Sequence, residues 1–184
     1  GLETPEYSWV GLTARAVGTI VHAELRRLAS QPELPQAGER QQRAGHYGAW
    51  LSELGVPAEA HAGAEALVVE ALERTLADPR GRWLLSAQHP AAESEWRLTG
   101  THEGRIVNVV FDRMLIDDQR QRWIIDYKTS RHEGGELAQF IEREAERYTP
   151  QLQRYAALAA ALGNEVVRVA LYFPLLGVFR EVSP

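Results

Sequence analysis

The sequence predicts an α/β domain with a helical N-terminal part. Helical periodicity dominates the first half, strand-like segments fill residues 91–125, and helical and strand segments alternate after them. The length of 184 residues suits one domain with a substantial core. We therefore expect residues 1–184 to form a single domain whose helices pack on a central sheet.

The first half predicts three helices. The first carries an apolar stripe at helical spacing, and each of the three is followed by a proline, which cannot continue a helix. The predicted ranges are 12–29, 41–54 and 59–77.

The second half predicts strands first, and then helices followed by strands. Residues 91–125 are strand-like, with one break predicted near Thr99-Gly100 and another at the turn-like segment 117–121. Two helices are predicted over 137–147 and 150–162, and two late strands over 165–176 and 178–182.

Composition excludes several classes of protein. Apolar residues make up 45% and charged residues 24%, which is ordinary for a globular chain. No apolar run is long enough for a membrane span and no signal peptide opens the chain, so we expect a cytoplasmic location and no membrane partner. The absence of cysteine excludes disulfides and thiolate-bound metals. No G-x-x-x-x-G-K-[ST] phosphate loop is present, which excludes an ATP-driven motor within this sequence.

A pair of aspartates dominates the strand-rich region. Asp126 lies 14 residues after Asp112, and Lys128 lies two residues after Asp126. A hairpin centred near position 119 would place the two aspartates opposite each other, with Cβ atoms about 4.5–5.5 Å apart. Two like charges there need a partner. A divalent cation is the simplest such partner and the Lys128 ammonium the next simplest, and the alternative interpretation of the motif is a surface ion pair at the end of a strand.

Two helical segments carry further polar candidates. His22 lies at the edge of the apolar stripe of the first helix, one turn after Gly18. It could be a metal ligand or a half-buried histidine bonded to a carbonyl. Gln151 and Tyr155 are also one turn apart, and they could reach a phosphate or a metal-bound water, or only edge a core helix.

In their order and intervals these residues resemble the PD-(D/E)XK nucleases, and in particular the RecB-like nuclease domain at the C-terminus of RecB and AddA helicase-nucleases. The resemblance covers residues 15 to about 160 and rests on the following motifs: Gly18 with His22, Asp112, Asp126-Tyr127-Lys128-Thr129, and Gln151 with Tyr155. It implies a restriction-endonuclease-like core, in which helices flank a central mixed sheet.

The resemblance also implies roles for these residues. Asp112 and Asp126 would be catalytic carboxylates and ligands of Mg²⁺ or Mn²⁺, with His22 and the Tyr127 carbonyl as further ligands. Lys128 would be the catalytic lysine. Gln151 and Tyr155 would lie near the scissile strand.

Two further positions bear on the resemblance. Glu95 corresponds to an acidic residue seen in some members. Val109 stands where RecB-like members commonly have glycine, a departure that bears on access to the metal.

The implied function is metal-dependent DNA cleavage by an exonuclease. The domain would be a C-terminal fragment of a larger helicase-nuclease, acting in DNA end processing and recombinational repair on a single-stranded end fed by the helicase. The alternative is a catalytically inactive nuclease-fold module with a structural or DNA-holding role. The net charge of −5 favours DNA affinity supplied largely by a partner. The arginines expected nearest to DNA are Arg15, Arg26, Arg113, Arg131 and Arg154.

Overall fold

The computed structural model describes residues 5–38, 46–132 and 134–183, with side chains from residue 11 onward. Five helices and five strands are seen in these ranges, together with a 3-10 turn over Ala58–Ala60. The helices are α1 (Pro5–Ala29), α2 (Gly48–Glu53), α3 (His61–Ala77), α4 (Pro79–Leu85) and α5 (Leu137–Ala160). The strands are β1 (Ala91–His102), β2 (Arg105–Ile116), β3 (Arg122–Tyr127), β4 (Val167–Phe173) and β5 (Val178–Val182).

The five strands form one mixed sheet in the order β1-β2-β3-β4-β5. Neighbouring strands are antiparallel except β3 and β4, which are parallel and joined through α5. A parallel pair needs a crossover of this kind, because its second strand must start again from the same end of the sheet. The predicted α/β class, with helices flanking a central mixed sheet, is confirmed.

Two apolar clusters cover the two faces of the sheet. Strand β3 contributes to both, because successive side chains of a strand point to opposite faces. Trp123, Ile125 and Tyr127 pack into the first cluster with the N-terminal helices, and Ile124 packs into the second with α5. The apolar stripe of α1 is fully buried in the first cluster, as its spacing predicts. The sheet is thus the middle layer of three.

The N-terminal helices differ from their predicted bounds. Helix α1 already includes Pro5, and α3 begins at His61 after the 3-10 turn. Helix α2 begins only at Gly48, and residues 41–45 of the predicted second helix lie outside the described residues. Helix α4 was not predicted. Its N-cap is Asp78, whose carboxylate accepts from the Arg80 and Gly81 amides, so the Asp-Pro pair that ends α3 also begins α4.

The break predicted near Thr99-Gly100 is wrong. Both residues lie inside β1, and a Cβ at Gly100 would come within 2.9 Å of the Leu158 side chain. The glycine therefore makes room for helix α5. The chain instead turns at Glu103 and Gly104, whose φ values of 50° and 75° suit a two-residue hairpin loop.

The two helices predicted on either side of residue 148 are one helix, α5, with Pro150 inside it. A proline in a helix removes one backbone hydrogen bond and costs about 3 kcal/mol. Apolar side chains from both halves of α5, including Ile141 and Leu152, are buried in the second cluster. Their burial offsets that cost. None of the described helices is long and apolar enough to cross a membrane.

Candidate active site

The β2–β3 hairpin has the register that the sequence predicts. Arg113 pairs with Ile125, so the pairing is centred on position 119, and one further step in the same register brings Asp112 opposite Asp126. Asp112 Oδ2 accepts a hydrogen bond of 2.8 Å from the Tyr127 amide. The two carboxylates therefore lie side by side where the hairpin meets the open end of β3.

Helix α1 brings His22 to this carboxylate pair. His22 Nε2 lies 3.2 Å from Asp112 Oδ2, across 90 residues of sequence. On the other side of the ring, Nδ1 lies 2.8 Å from the carbonyl oxygen of Gly18. The ring is therefore fixed by its own helix and aimed at Asp112.

The two contacts of the ring decide what can lie between His22 and Asp112. A carbonyl only accepts, so Nδ1 must carry its proton to bond with Gly18. A neutral ring then presents a lone pair at Nε2 to a carboxylate oxygen, which is repulsive. Either a second proton or a metal cation resolves the repulsion. Burial acts to lower the pKa of His22, but the hydrogen bond and the charge of Asp112 outweigh burial and raise it.

Of the two carboxylates, Asp126 lies in the environment that disfavours the ionised form more strongly. Burial, with the adjacent Asp112 as the next cause, raises the pKa of Asp126 to about 7. The pKa of Asp112 goes the other way: burial acts to raise it, but the hydrogen bonds from His22 and Asp126 lower it. Ionising both of two adjacent carboxylates is unfavourable because their negative charges repel. A divalent cation bound between them would offset this repulsion.

Lys128 is the closest cation to Asp126 and the only lysine in the sequence. Its Nζ lies 2.8 Å from Asp126 Oδ2, and the two side chains are 18% and 14% exposed. The contact is a close ion pair, but its direction does not satisfy hydrogen-bond geometry. Asp126 Oδ2 is consequently a buried oxygen with no hydrogen-bond partner among the described residues.

The donors fit a divalent metal by their chemistry. One imidazole nitrogen faces one carboxylate, and a second carboxylate has a buried oxygen without a hydrogen bond. Mn²⁺ and Mg²⁺ prefer oxygen ligands, and the nitrogen favours Mn²⁺ of the two. As the side chains stand, no group of three His, Asp or Glu among the described residues is arranged to hold an ion. Lys128 Nζ lies beside the Asp126 oxygen, Oδ2, that has no hydrogen bond.

Helix α5 places Gln151 and Tyr155 beside the carboxylates. Gln151 Nε2 donates to the Tyr155 hydroxyl at 2.9 Å, and the Tyr155 ring packs edge-on against Phe111, whose centroid is 4.9 Å away. Burial raises the pKa of Tyr155, and the charges of Asp126 and Asp112 raise it further. The two residues thus face the hairpin and are close enough to feel its charge.

The Tyr127 side chain belongs to the core. Its ring is buried in the first cluster and meets the His22 ring edge-on at 5.7 Å between centroids. Its backbone amide donates a hydrogen bond to Asp112 Oδ2. Val109, where RecB-like members commonly have glycine, is partly buried and packs against the second cluster.

Glu95 lies opposite Asp112 in the β1–β2 ladder. The pairs on either side are Ser94 with Arg113 and Trp96 with Phe111, and Glu95 itself has φ of 48°, which is strained for a residue with a side chain. Its carboxylate is bound to Arg26 of α1 at 2.8 Å. Glu95 and His22 therefore both link the sheet to α1.

One arginine predicted to lie near DNA is misassigned. Arg113 is only 2% exposed, and its guanidinium donates to the carbonyl oxygens of Leu84 and Ser86 and to the Ser94 hydroxyl. These partners lie at the end of α4, directly after α4 and in β1. Arg113 ties α4 to the sheet and cannot reach a ligand at the aspartates.

Two contacts at the site were not predicted from the sequence. Lys128 Nζ lies 3.7 Å from the ring centroid of Tyr148, a residue placed between two predicted helices. Thr129 Oγ1 lies 3.0 Å from where a Cβ of Gly18 would be, which identifies the group that approaches this glycine. The helical spacing of residues 148, 151 and 155 was a usable signal for Tyr148 once Pro150 is allowed inside the helix.

One comparison with known protein families agrees with this fold. Residues 2–179 match the family model of the PD-(D/E)XK nuclease superfamily, so the chain belongs to that superfamily. Its members are usually metal-dependent nucleases.

Among solved structures, the chain is similar to the crystal structure of protein VC1899 from Vibrio cholerae, with 15% identity and a TM-score of 0.32. That match covers 93% of this chain and 48% of the other, so the chain spans about half the length of that structure. No curated protein matches the sequence.

Proposed function

We propose that this chain is a Mg²⁺- or Mn²⁺-dependent deoxyribonuclease that acts as an exonuclease on DNA ends. The observation that carries the proposal is the buried Asp112–Asp126 pair, with His22 on one carboxylate and Lys128 on the other. Membership of the nuclease superfamily supports the reaction class. DNA as the substrate and attack from an end are our inferences.

Each residue has a part in the proposed reaction. His22, Asp112, Asp126 and the Tyr127 carbonyl would hold the metal, which would activate water and neutralise charge on the phosphate. The Gly18 carbonyl keeps the Nε2 lone pair of His22 free for this purpose by holding the proton on Nδ1.

The remaining groups act on the substrate. Lys128 offers an ammonium to the negative charge that builds on the phosphate oxygens. Gln151 and Tyr155 present an amide and a phenol from α5, and both can donate to a phosphate oxygen on the strand being cut.

We further propose that the domain works with a helicase motor, in the same polypeptide or complex, in DNA end processing and recombinational repair. The resemblance to RecB-like domains supports this role. The net charge of −5 also supports it, because the motor would then supply the DNA affinity that an acidic domain lacks.

The second candidate is a catalytically inactive module that holds DNA or has a structural role. The arrangement of Asp126 favours it, because this carboxylate contacts Lys128 and no three-ligand group is formed among the described residues. Calorimetric titration with Mn²⁺ separates the candidates. A nuclease binds the ion in wild type but not in Asp112→Asn, whereas an inactive module shows no binding that depends on Asp112.

The activity itself is tested with end-labelled single- and double-stranded DNA in Mg²⁺ or Mn²⁺, with EDTA as the metal-free control. We expect cleavage by wild type, and a loss of at least about 100-fold in Asp126→Asn, because a charge-stabilising group at the reacting centre is removed. The fold should remain, since the substitution also removes a like-charge contact.

Asp118→Asn is the matched control for this variant. Asp118 is an exposed aspartate at the opposite end of the same hairpin, so its variant should cut DNA as wild type does. Equal rates for Asp126→Asn and wild type would refute the assigned site.

A further inference from the structure

The ammonium of Lys128 is held on two sides. Asp126 Oδ2 lies 2.8 Å from Nζ, and the centre of the Tyr148 ring lies 3.7 Å from it. The side chains of Lys128 and Asp126 are mostly buried, and Tyr148 is half-buried against the second apolar cluster. A cation over an aromatic face is attracted more strongly where water is excluded.

The Tyr148 ring is placed by the same helix face that carries Gln151 and Tyr155. Positions 148, 151 and 155 follow one another at spacings of three and four residues, so they form one stripe along α5. The stripe meets the hairpin at successive points: Tyr148 contacts Lys128, and Tyr155 contacts Phe111. Rigid packing of α5 therefore fixes the ring relative to the ammonium.

Lysine suits this place better than arginine would. Lys128 is the only lysine, and every other basic residue apart from histidine is arginine. An ammonium is compact and can lie between a carboxylate and a ring, whereas a guanidinium is planar and wide. A lysine side chain is also flexible, so an aromatic wall reduces the number of positions that its ammonium visits.

We infer that Tyr148 is a positioning residue for the proposed nuclease reaction, and the inference rests on that proposed function. Its ring keeps the Lys128 ammonium at the edge of the Asp126 carboxylate, where a phosphate next to the carboxylates meets it. The ring face is what matters, and the hydroxyl is not needed. Loss of the ring lets the ammonium leave this edge and lowers the rate of the chemical step.

Kinetics with Mn²⁺ and single-stranded DNA test the catalytic consequence. We expect Tyr148→Leu to lower kcat about 10-fold with KM changed less than about 2-fold, because an interaction realised in the transition state is lost. Tyr148→Phe keeps the ring face and should restore most of kcat.

Phe140→Leu is the matched control. Phe140 is a half-buried aromatic residue of the same helix and packs against the same apolar cluster, and no Lys or Arg of the described part of the chain lies over its ring. Equal losses of kcat in Tyr148→Leu and Phe140→Leu would reduce Tyr148 to a packing residue and overturn the inference.

A second measurement does not depend on activity. Protein labelled only in lysine gives one set of side-chain NMR signals, because Lys128 is the only lysine. The ring should shift the ε-methylene protons upfield of their position in unfolded protein, in wild type and Tyr148→Phe but not in Tyr148→Leu. An unshifted wild-type signal overturns the inference. Wild type that shows the shift but cuts no DNA refutes the proposed function instead, and leaves the contact established.

Discussion

Asp117 shows how a single buried charge organises the end of the hairpin that lies away from Asp112 and Asp126. Its Oδ1 accepts from the Gln119 and Gln121 amides, and its Oδ2 accepts from the Trp123 indole at 2.9 Å. Burial acts to raise the pKa of Asp117, but these hydrogen bonds outweigh burial and lower it. The carboxylate is therefore an anchor of the turn, and its ionised form is the one that the fold prefers.

We predict that Asp117→Ala lowers the free energy of unfolding by about 1–3 kcal/mol at pH 7, because three donors lose their acceptor. The folded pKa is below the unfolded value of about 3.9, so the contribution is complete above that pH and is lost as pH falls through the folded pKa. Urea unfolding at pH 7 and near pH 3 measures the difference between variant and wild type, with exposed Asp118→Ala as control. A difference that grows on acidification would contradict the assignment.

At the same scale, the sequence predicts residues better than it predicts their contacts. His22, Asp112, Asp126 and Lys128 could be selected because their types and spacing match one chemistry, and the hairpin register follows from a local turn. The Tyr148 contact with Lys128 could not, because it depends on how α5 packs on the sheet. Their roles in metal binding and catalysis remain predictions.

Helix α4 shows the same limit at the scale of elements. Its seven residues are short for a periodic signal, and what holds it is a long-range bond: the Tyr172 hydroxyl of β4 donates to Asp78 Oδ2 at 2.8 Å. Gly81 of α4 lies close to both Thr75 and the Tyr172 hydroxyl. A Cβ there would overlap the Thr75 carbonyl oxygen and come within 2.6 Å of the Tyr172 hydroxyl.

We predict that Gly81→Ala lowers the free energy of unfolding by at least about 3 kcal/mol, because a backbone carbonyl cannot yield as a flexible side chain can. Gly63→Ala is the matched control. Gly63 lies within α3 with nothing within 4 Å of its added Cβ, so alanine should stabilise by about 0.5–1 kcal/mol through helix propensity. Chemical denaturation of both variants checks the prediction, and a tolerated Gly81→Ala would show that α4 can move away from β4.

Elements with an uninterrupted periodicity were the ones that the sequence could predict. Helix α1 and the β2–β3 hairpin carry clear periodicities, and the structure has both. The single helix α5 was predicted as two because proline usually interrupts a helix. Here the apolar side chains before and after Pro150 are both buried, and this burial keeps the helix continuous. The turn at 103–104 was missed because the glycine at 100 serves packing against Leu158.

For the whole molecule, charge limits how tightly DNA can be held. The net charge is −5, and of the five arginines expected near DNA, Arg113 is buried and Arg26 is bound to Glu95. The side chains of Arg15, Arg131 and Arg154 are exposed. Few phosphates can then be neutralised by these arginines, so the proposed partner would have to supply most of the DNA affinity.

We predict that the isolated domain binds single-stranded DNA with a Kd of about 1 μM or weaker at physiological salt, with a log–log salt slope of about −2 for three contacts. Fluorescence anisotropy over a salt series, with Asp126→Asn to prevent cleavage, measures both quantities. Arg131→Gln should reduce the slope by about 0.7, and Arg180→Gln, whose arginine is bound to Glu142, should leave it unchanged. Nanomolar binding with a steep slope would show that the domain needs no partner.

The wide separation of the site residues in the chain has a consequence for folding. The hairpin that carries both aspartates is local and can form early, whereas His22 reaches Asp112 across 90 residues and Tyr148 depends on the crossover that joins the parallel strands β3 and β4. Long-range and parallel contacts form late because loop closure must precede them. We therefore expect the chain to collapse and hydrogen-bond its hairpin before the ring, the imidazole and the two carboxylates meet. A nascent or partly unfolded molecule would then be harmless to DNA.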